Sequence, residues 1–552
     1  MGLAFGIDLG TTYSCISYVD EFGKPIVLKN SAGDHTTPSV VYIESTNNII
    51  VGDEAKRMVD IEPDKTVQFI KRKMGKENNT VFLNGIEYTA QEISSYILKK
   101  LVDDANAELQ QTGVLKADEK ITDVVITCPA YFGMNERDAT KIAGEMAGLN
   151  VLDIINEPTA AAISYGVTGE AKKETILVYD LGGGTFDITV MHIDGGNITV
   201  ICSGGDDQLG GKDWDEQLMS FIMDKFQSET GEDITEDPEA VSALYLDAET
   251  WKKSLTTREK VNISVKAMGE RMRDEFTREQ YEDLTRDLLN RTKNLLNDII
   301  KTSTAAGYPL SSIDKVLLVG GSSRMPQIAK MIEQDYGIVP SLQDPDEAVA
   351  KGAAIFAKNQ SMFQDFVSDV AAKTGKTVEE IVQENIVSGE IDRQFALQSG
   401  LNTAGGKLSI TNVLSRTYGI RVHNFEKDKS YINNILMIND PLPAKVTKFY
   451  NTVCDNQHSV LVQIYETRST EENIDIDDKQ PLTEITMNFI APVPIGTKIE
   501  FTMALDASGG LHIIAVEQEN FSTLDTSFQL SNQMSSTQRE AAEKRIINTT
   551  VE

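Results

Sequence analysis

A chain of 552 residues with 84 acidic against 52 basic side chains carries a formal charge of −32, which argues against nucleic acid or an anionic membrane surface as partner. Its hydrophobic fraction of 40% and aromatic fraction of 7% are those of a folded soluble protein long enough for two or three domains. The four cysteines, Cys15, Cys128, Cys202 and Cys454, are scattered without metal-ligand spacing, and the N-terminus lacks a leader pattern. No apolar run approaches the ~20 residues of a membrane span, so a reducing, cytoplasmic setting is expected.

The chain opens with two β-rich runs joined by Asp8-Leu9-Gly10-Thr11-Thr12, a glycine-tipped hairpin. A strand at 39–44 follows, then the basic run Lys71-Arg72-Lys73. Residues 90–111 repeat Ile93, Ile97, Leu101, Ala105 and Leu109 every four positions, an amphipathic helix ended by Gly113. A buried strand at 124–127 leads into Cys128-Pro129, and a helix follows around Ala139 to Ala147. Then Asn156-Glu157-Pro158-Thr159-Ala160-Ala161-Ala162 turns a strand end into a helix of small residues. The pattern restarts with a second hairpin at Asp180-Leu181-Gly182-Gly183-Gly184-Thr185, as a duplicated domain would. One long helix is expected from Thr277, boxed by Gln280, to Gly307. The apolar run 316–319 enters Gly320-Gly321-Ser322-Ser323-Arg324-Met325-Pro326, a strand, glycine turn and helix start. Another small-residue helix follows Asp346. Composition shifts near residue 358. Helices are expected over 361–386, a linker at 402–406, and short strands at hairpin spacing from 410 to about 521, an all-β sandwich. One short helix, 538–547 behind Thr537 and Glu540, closes the chain.

Glycine hairpin tips let backbone N–H groups approach an anion, the threonines add hydroxyl donors, and aspartates hold a metal through water. Two copies in the same residue order imply a phosphate chain clamped from both sides. The helix start after Gly321 supplies further N–H groups for an anionic ligand. Rival chemistries fail: Gly211-Lys212 is followed by Asp213 and Gly375-Lys376-Thr377 lacks the first glycine of a P-loop, while 5 His and no Gly-x-Ser-x-Gly leave little for His-based catalysis.

The stretches 6–14, 156–162, 180–187 and 319–326 together resemble the seventy-kilodalton heat-shock chaperones of the DnaK type. The resemblance implies an α/β actin-like (ribonuclease H-like) duplicated two-lobed ATPase domain over 1–358. After it come a helical insertion and linker over 359–409, a β-sandwich peptide-binding domain over 410–522 and a truncated lid remnant or tail over 523–552. It further implies an ATPase that takes ATP, releases ADP and uses Mg²⁺. Gly10, Thr11, Thr12, Gly182, Gly183 and Thr185 would cradle phosphates; Asp8 and Asp180 would hold Mg²⁺ through water, with Asp187 beside them; Lys71 would face the γ-phosphate and Glu157 would link the metal shell to its helix. Glu249, Lys252, Lys253 and Thr256, with Gly320, Gly321, Ser322, Arg324 and Asp346, would hold the adenosine, Lys253 standing where some members carry an adenine-stacking arginine. Ile420, Tyr450, Val453, Val460 and Val462 would form an apolar pocket for an extended peptide. Pro129 and Arg137 would relay nucleotide state.

The implied function is that of an ATP-dependent chaperone of the stress response, binding unfolded clients and working with a J-domain co-chaperone and an exchange factor. Three features depart from the family. The linker text Leu408-Ser409-Ile410-Thr411-Asn412-Val413 is polar at alternate places, Asp153 replaces a basic residue, and some 45 residues over 361–405 are inserted. A helix of about ten residues spans ~15 Å, too little to close over a groove, so peptide exchange is expected to be fast. A specialised ATP-switched module for one partner is the alternative reading.

Overall fold

The structure is a computed structural model, and it describes residues 3–45, 47–59, 61–76, 80–166, 173–342, 344–378, 380–382, 385, 391–392, 394–395, 408–424, 428–506, 510–528, 536–547 and 549–552. Two six-stranded sheets repeat one plan. In the first, Phe5–Asp8 runs antiparallel to Tyr13–Val19 and parallel to Asp123–Cys128, which is parallel to Asn150–Asn156. In the second, Lys173–Leu181 is antiparallel to Phe186–Asp194 and parallel to Lys315–Val319. The inner strands are apolar on both faces because helices cover both sides, the signature of a buried parallel sheet.

Small residues set how closely the two halves meet. The helices Glu157–Gly166 and Ala348–Thr374 cross between the sheets. A Cβ on Gly352 would lie 1.7 Å from Ala160 O, and one on Gly6 would lie 2.0 Å from Ala354 N. This contact is main chain against main chain, so it fixes the lobes and brings their hairpins face to face. The duplicated two-lobed architecture expected from the motifs is therefore present.

Several elements differ from the sequence expectation. The helix expected from Thr277 to Gly307 is two, Arg278–Leu284 and Arg286–Ala305. The Thr277 capping box forms, but Thr285 leaves the helical region while its hydroxyl bonds back to Tyr281 O at 2.8 Å. The helix Ala348–Thr374 passes residue 358 without a break, since Phe363, Val367 and Ala371 keep helical spacing and pack on Ile381 and Phe395. The linker expected at 402–406 lies outside the described residues. Beyond it, Ser409–Thr411 joins the second sheet, parallel to Asn197–Thr199.

From residue 417 a five-stranded and a four-stranded sheet enclose one core that includes Tyr418, Ile420, Ile464, Phe501 and Ile513. The final helix, Ser536–Ile547, begins one residue before the expected cap at Thr537. It lies on the first lobe, where Ala542 and Ile546 enter the core. Thr550–Val551 then pairs parallel with Asn48–Ile49 as an edge strand.

Candidate nucleotide site between the lobes

Between the hairpins lies a cleft of about 520 Å³, within the ~300–1,000 Å³ usual for ligand sites. The first hairpin is held from behind: Ser39 Oγ donates to Gly10 O at 2.8 Å, and Gly10 N donates to Ser14 Oγ at 3.1 Å. The hairpins meet tip to tip, since a Cβ on Gly183 would stand 1.8 Å from Thr12 Oγ1. That hydroxyl oxygen is buried and has no hydrogen-bond partner among the described residues. In the second hairpin Gly182 N donates to Thr185 O at 3.0 Å, which closes the turn. The N–H groups of Gly183, Gly184 and Thr185 make no hydrogen bond to the described residues.

One end of the cleft is acidic. Asp8, at the end of the first strand, accepts from Thr127 Oγ1 at 3.2 Å. Burial pushes its carboxyl up to about 7, and neighbouring Glu157 adds to the shift. Burial and Glu157 likewise raise Asp180 and Asp187 well above the carboxylate range. Lys71, reached from the Ile70–Lys73 3₁₀ turn, donates to Glu157 Oε1. Burial alone would lower the lysine, but Glu157 and Asp8 outweigh it and hold the ammonium charged. Asp8, Asp180 and Asp187, crowded beside Glu157 and one ammonium, favour either bound protons or a bound cation. Among the described residues no group of three or more His, Cys, Asp or Glu is placed to hold a metal directly. Two carboxyl groups on the cleft wall, Asp8 and Asp180, fit Mg²⁺, which keeps most of its waters and takes one or two carboxylates. Asp8 and Asp180 line the cleft, while Lys71 and Asp187 stand behind its lining.

The other end is formed by the helix Pro238–Leu255 and the turn after Val319. Glu249, Lys252, Lys253 and Thr256 face Gly320, Gly321, Ser322, Arg324 and Asp346 across the space. Lys252 Nζ donates to Gly211 O at 2.9 Å and Asp215 Oδ2 at 2.6 Å. Arg324 pairs with Asp346 at 2.5 Å. Gly320, at φ 79°, sends its N–H to Pro345 O and turns the chain through a 3₁₀ segment, so the helix starts only at Pro326. Lys56 and Lys253 bracket the Tyr13 ring and both bond Glu249, bridging the lobes at the cleft mouth. Burial would raise the Glu249 carboxyl, yet the two ammonium groups bring it down to about 2.

Every ATP-site residue named from the sequence, except Lys71 and Asp187, lies on the cleft lining. Sequence reading passed over Tyr13, Lys56, Lys212, Asp215 and Tyr245, which also line it. Tyr13 follows a motif threonine and Lys212 stands in the Gly211-Lys212 pair, so each carried a local signal; Lys56, Asp215 and Tyr245 carried none.

The β-sandwich is docked on the lobes. Arg137 donates to Asn156 Oδ1, and Asn156 Nδ2 donates to Asn412 Oδ1 in the linker at 3.5 Å. Asp153 turns away, accepting from Ile154 N. Arg416 joins Glu136 of the first lobe to Glu466 of the sandwich. The five pocket candidates differ in exposure. Ile420 and Val462 are closed in the sandwich core, Tyr450 and Val460 are half-buried against it, and Val453 is 42% exposed. Tyr450 OH donates to Asn433 Oδ1 at 2.8 Å.

Residues 4–373 and 362–550 match the family described as Hsp70 protein. The chain is 36% identical over 522 residues to the chaperone protein DnaK of Thermotoga petrophila, covering 92% of this chain and 77% of that protein. The DnaK of Thermotoga sp. strain RQ2 shows the same identity and coverage. Among the described residues no helix is long and apolar enough to cross a membrane. With the match spanning both the two-lobed unit and the sandwich, the chain belongs to the Hsp70 family of ATP-dependent chaperones and is an ATPase.

Proposed function

We propose that the chain hydrolyses ATP in the interlobe cleft and uses the turnover to change the affinity of its sandwich for extended apolar segments of unfolded proteins. The observation that carries the nucleotide assignment is the tip-to-tip meeting of the hairpins over a buried cluster of carboxyl groups and one lysine. Thr11, Thr12, Gly182, Gly183 and Thr185 cradle the phosphates. Lys71, held by Glu157, neutralises charge on the terminal phosphate, and Asp8, Asp180 and Asp187 order the attacking water. Mg²⁺, held through water by Asp8 and Asp180, would supply charge neutralisation between the phosphates. Glu249, Lys252, Lys253, Thr256, Ser322, Arg324 and Asp346 hold the adenosine. Positioning and electrostatics without a strong base predict slow turnover.

The peptide groove belongs to the 410–522 unit, with Val453, Tyr450 and Val460 at its accessible end. The final helix packs on the first lobe, which supports weak, fast-exchanging peptide binding. A J-domain protein and a nucleotide exchange factor are the partners this cycle needs, in the cytoplasm. Closure of Ile420 and Val462 in the core favours a second reading, an ATP-switched module that docks one partner.

Fluorescence anisotropy of an extended apolar peptide, in ATP and in ADP, tests both. Weaker binding in ATP than in ADP, with Lys71→Ala held in the ATP-like state, supports the chaperone cycle. Equal affinities in both nucleotides refute coupling, and binding of one protein partner alone favours the module.

A further inference from the structure

The three carbonyls of the Gly182–Gly184 turn are all drawn out of the cleft, but not by the same kind of donor. Gly182 O accepts from Gly211 N at 2.9 Å and Gly183 O from Lys212 N at 2.8 Å, both from the start of the helix Gly211–Thr230 in the same lobe. Gly184 O instead accepts Nε of Arg72 at 2.9 Å and also Nη2 of the same guanidinium. Arg72 comes from the opposite lobe. Its Nη2 reaches Asp213 Oδ2 at 3.4 Å, and that carboxylate accepts from Gly210 N at 2.7 Å. Phe69, in the left-handed region at φ 60°, turns the Ile70–Lys73 segment into the junction, and Lys212 Nζ lies 5.3 Å from its ring centre. The junction is full: a Cβ on Gly184 would sit 2.5 Å from Thr11 Cγ2 and 3.2 Å from Arg72 Nε.

We propose that Arg72 is a positioning residue of the ATPase, holding the Gly184–Thr185 peptide so that its N–H, and not its carbonyl, faces the terminal phosphate. A carbonyl turned toward a phosphate oxygen repels it, whereas an N–H donates to it. The guanidinium is suited to this because its fork takes one oxygen with two donors while Asp213 fixes its plane. Since the donor belongs to the first lobe and the acceptor to the second, the turn is completed only when the cleft is closed, which ties hydrolysis to lobe closure. The inference rests on the assignment of the phosphates to the two hairpins made above.

The test is single-turnover ATP hydrolysis, with ADP affinity by titration calorimetry and the melting temperature, on the full chain carrying Arg72→Gln, Arg72→Lys or Gly210→Ala. Arg72→Gln should lower the hydrolysis rate about 10- to 100-fold, less than the ~100- to 1,000-fold of a donor that touches the reacting oxygen. ADP affinity should change by less than about threefold, because the adenosine end is untouched. Arg72→Lys keeps the charge but not the fork, so it should recover only part of the rate. A rate within about threefold of wild type in Arg72→Gln overturns the proposal. Full recovery by lysine does so too, and so does a parallel fall in rate, ADP affinity and melting temperature. Gly210→Ala separates the underlying assignment, since its Cβ would press within 2.6 Å of the Gly184 main chain. Unchanged ADP affinity in that variant would remove the phosphates from the hairpins, whatever Arg72 does.

Discussion

Removing Arg545 should loosen the C-terminal tail from the first lobe and destabilise that lobe. Arg545 Nε and Nη2 donate to Glu92 Oε1 at 2.6 Å and Oε2 at 2.7 Å. The Glu92 side chain is 0% exposed and the Arg545 side chain 34%. Arg545→Ala leaves a buried carboxylate without its partner, which typically costs about 3–5 kcal/mol. Water entering beside the partly open arginine position reduces this to about 2–3 kcal/mol. At roughly 2–4 °C per kcal/mol for a unit of this size, the first lobe should melt about 4–12 °C lower. Calorimetry gives the shift, and hydrogen exchange localises it: amides of the Asn48–Val51 strand should lose protection, because Val51 N donates to Glu552 O and Glu552 N to Ile49 O. Adding Glu92→Gln to Arg545→Ala should recover more than half of the loss, since an uncharged amide is far cheaper to bury. A shift under about 2 °C with unchanged protection at Asn48–Val51 would show that the tail does not rest there.

Glu466→Gln should be neutral or stabilising at neutral pH. Burial lifts the Glu466 carboxyl above its ordinary value although Arg416 opposes this. A raised carboxyl takes up its proton on folding, so its contribution is full below the unfolded value and is lost as pH rises through the folded one. The variant should therefore melt about 0–3 °C higher than wild type at pH 7.5, with the gain gone below about pH 4.5; a clear loss at pH 7.5 would mean that the Arg416 pair stabilises the junction. Gly352→Ala should cost at least about 3 kcal/mol, because its Cβ would meet the Ala160 carbonyl at 1.7 Å on a rigid backbone. Soluble protein with wild-type melting would refute the close helix crossing.

The parts of this molecule that were legible in its sequence are those whose residues are chain neighbours. A glycine turn between two strands needs only local residue choice, so both hairpins, the Val319 turn and the Thr277 capping box could be read directly. Alternation of apolar residues located the sandwich strands. It could not say which face looks into the core, and Ile420 and Val462 lie inside it. Arg72, Lys56 and Tyr245 were unreadable for a different reason: their partners lie more than a hundred positions away, or in the cleft itself. The tail was harder still, because a short polar helix gives no sign that its arginine will find a glutamate 453 positions earlier.

Those distant contacts also decide how the sandwich is held. Its N-terminal approach, Ser409–Thr411, is a strand of the second lobe's sheet, and the segment after it, Ser536–Val551, is packed and paired on the first lobe. Arg416 adds a third tie, to Glu136 of the first lobe. A domain fastened to both lobes cannot follow one of them when the cleft opens without straining its tie to the other. If the proposed cycle holds, lobe closure and sandwich docking would form one equilibrium, and a ligand that binds the two closures unequally would shift both. On this reading the polar linker would leave such coupling intact, because the ladder between Asn197–Thr199 and Ser409–Thr411 is made by main-chain groups, and the alternate polar side chains leave those free to pair.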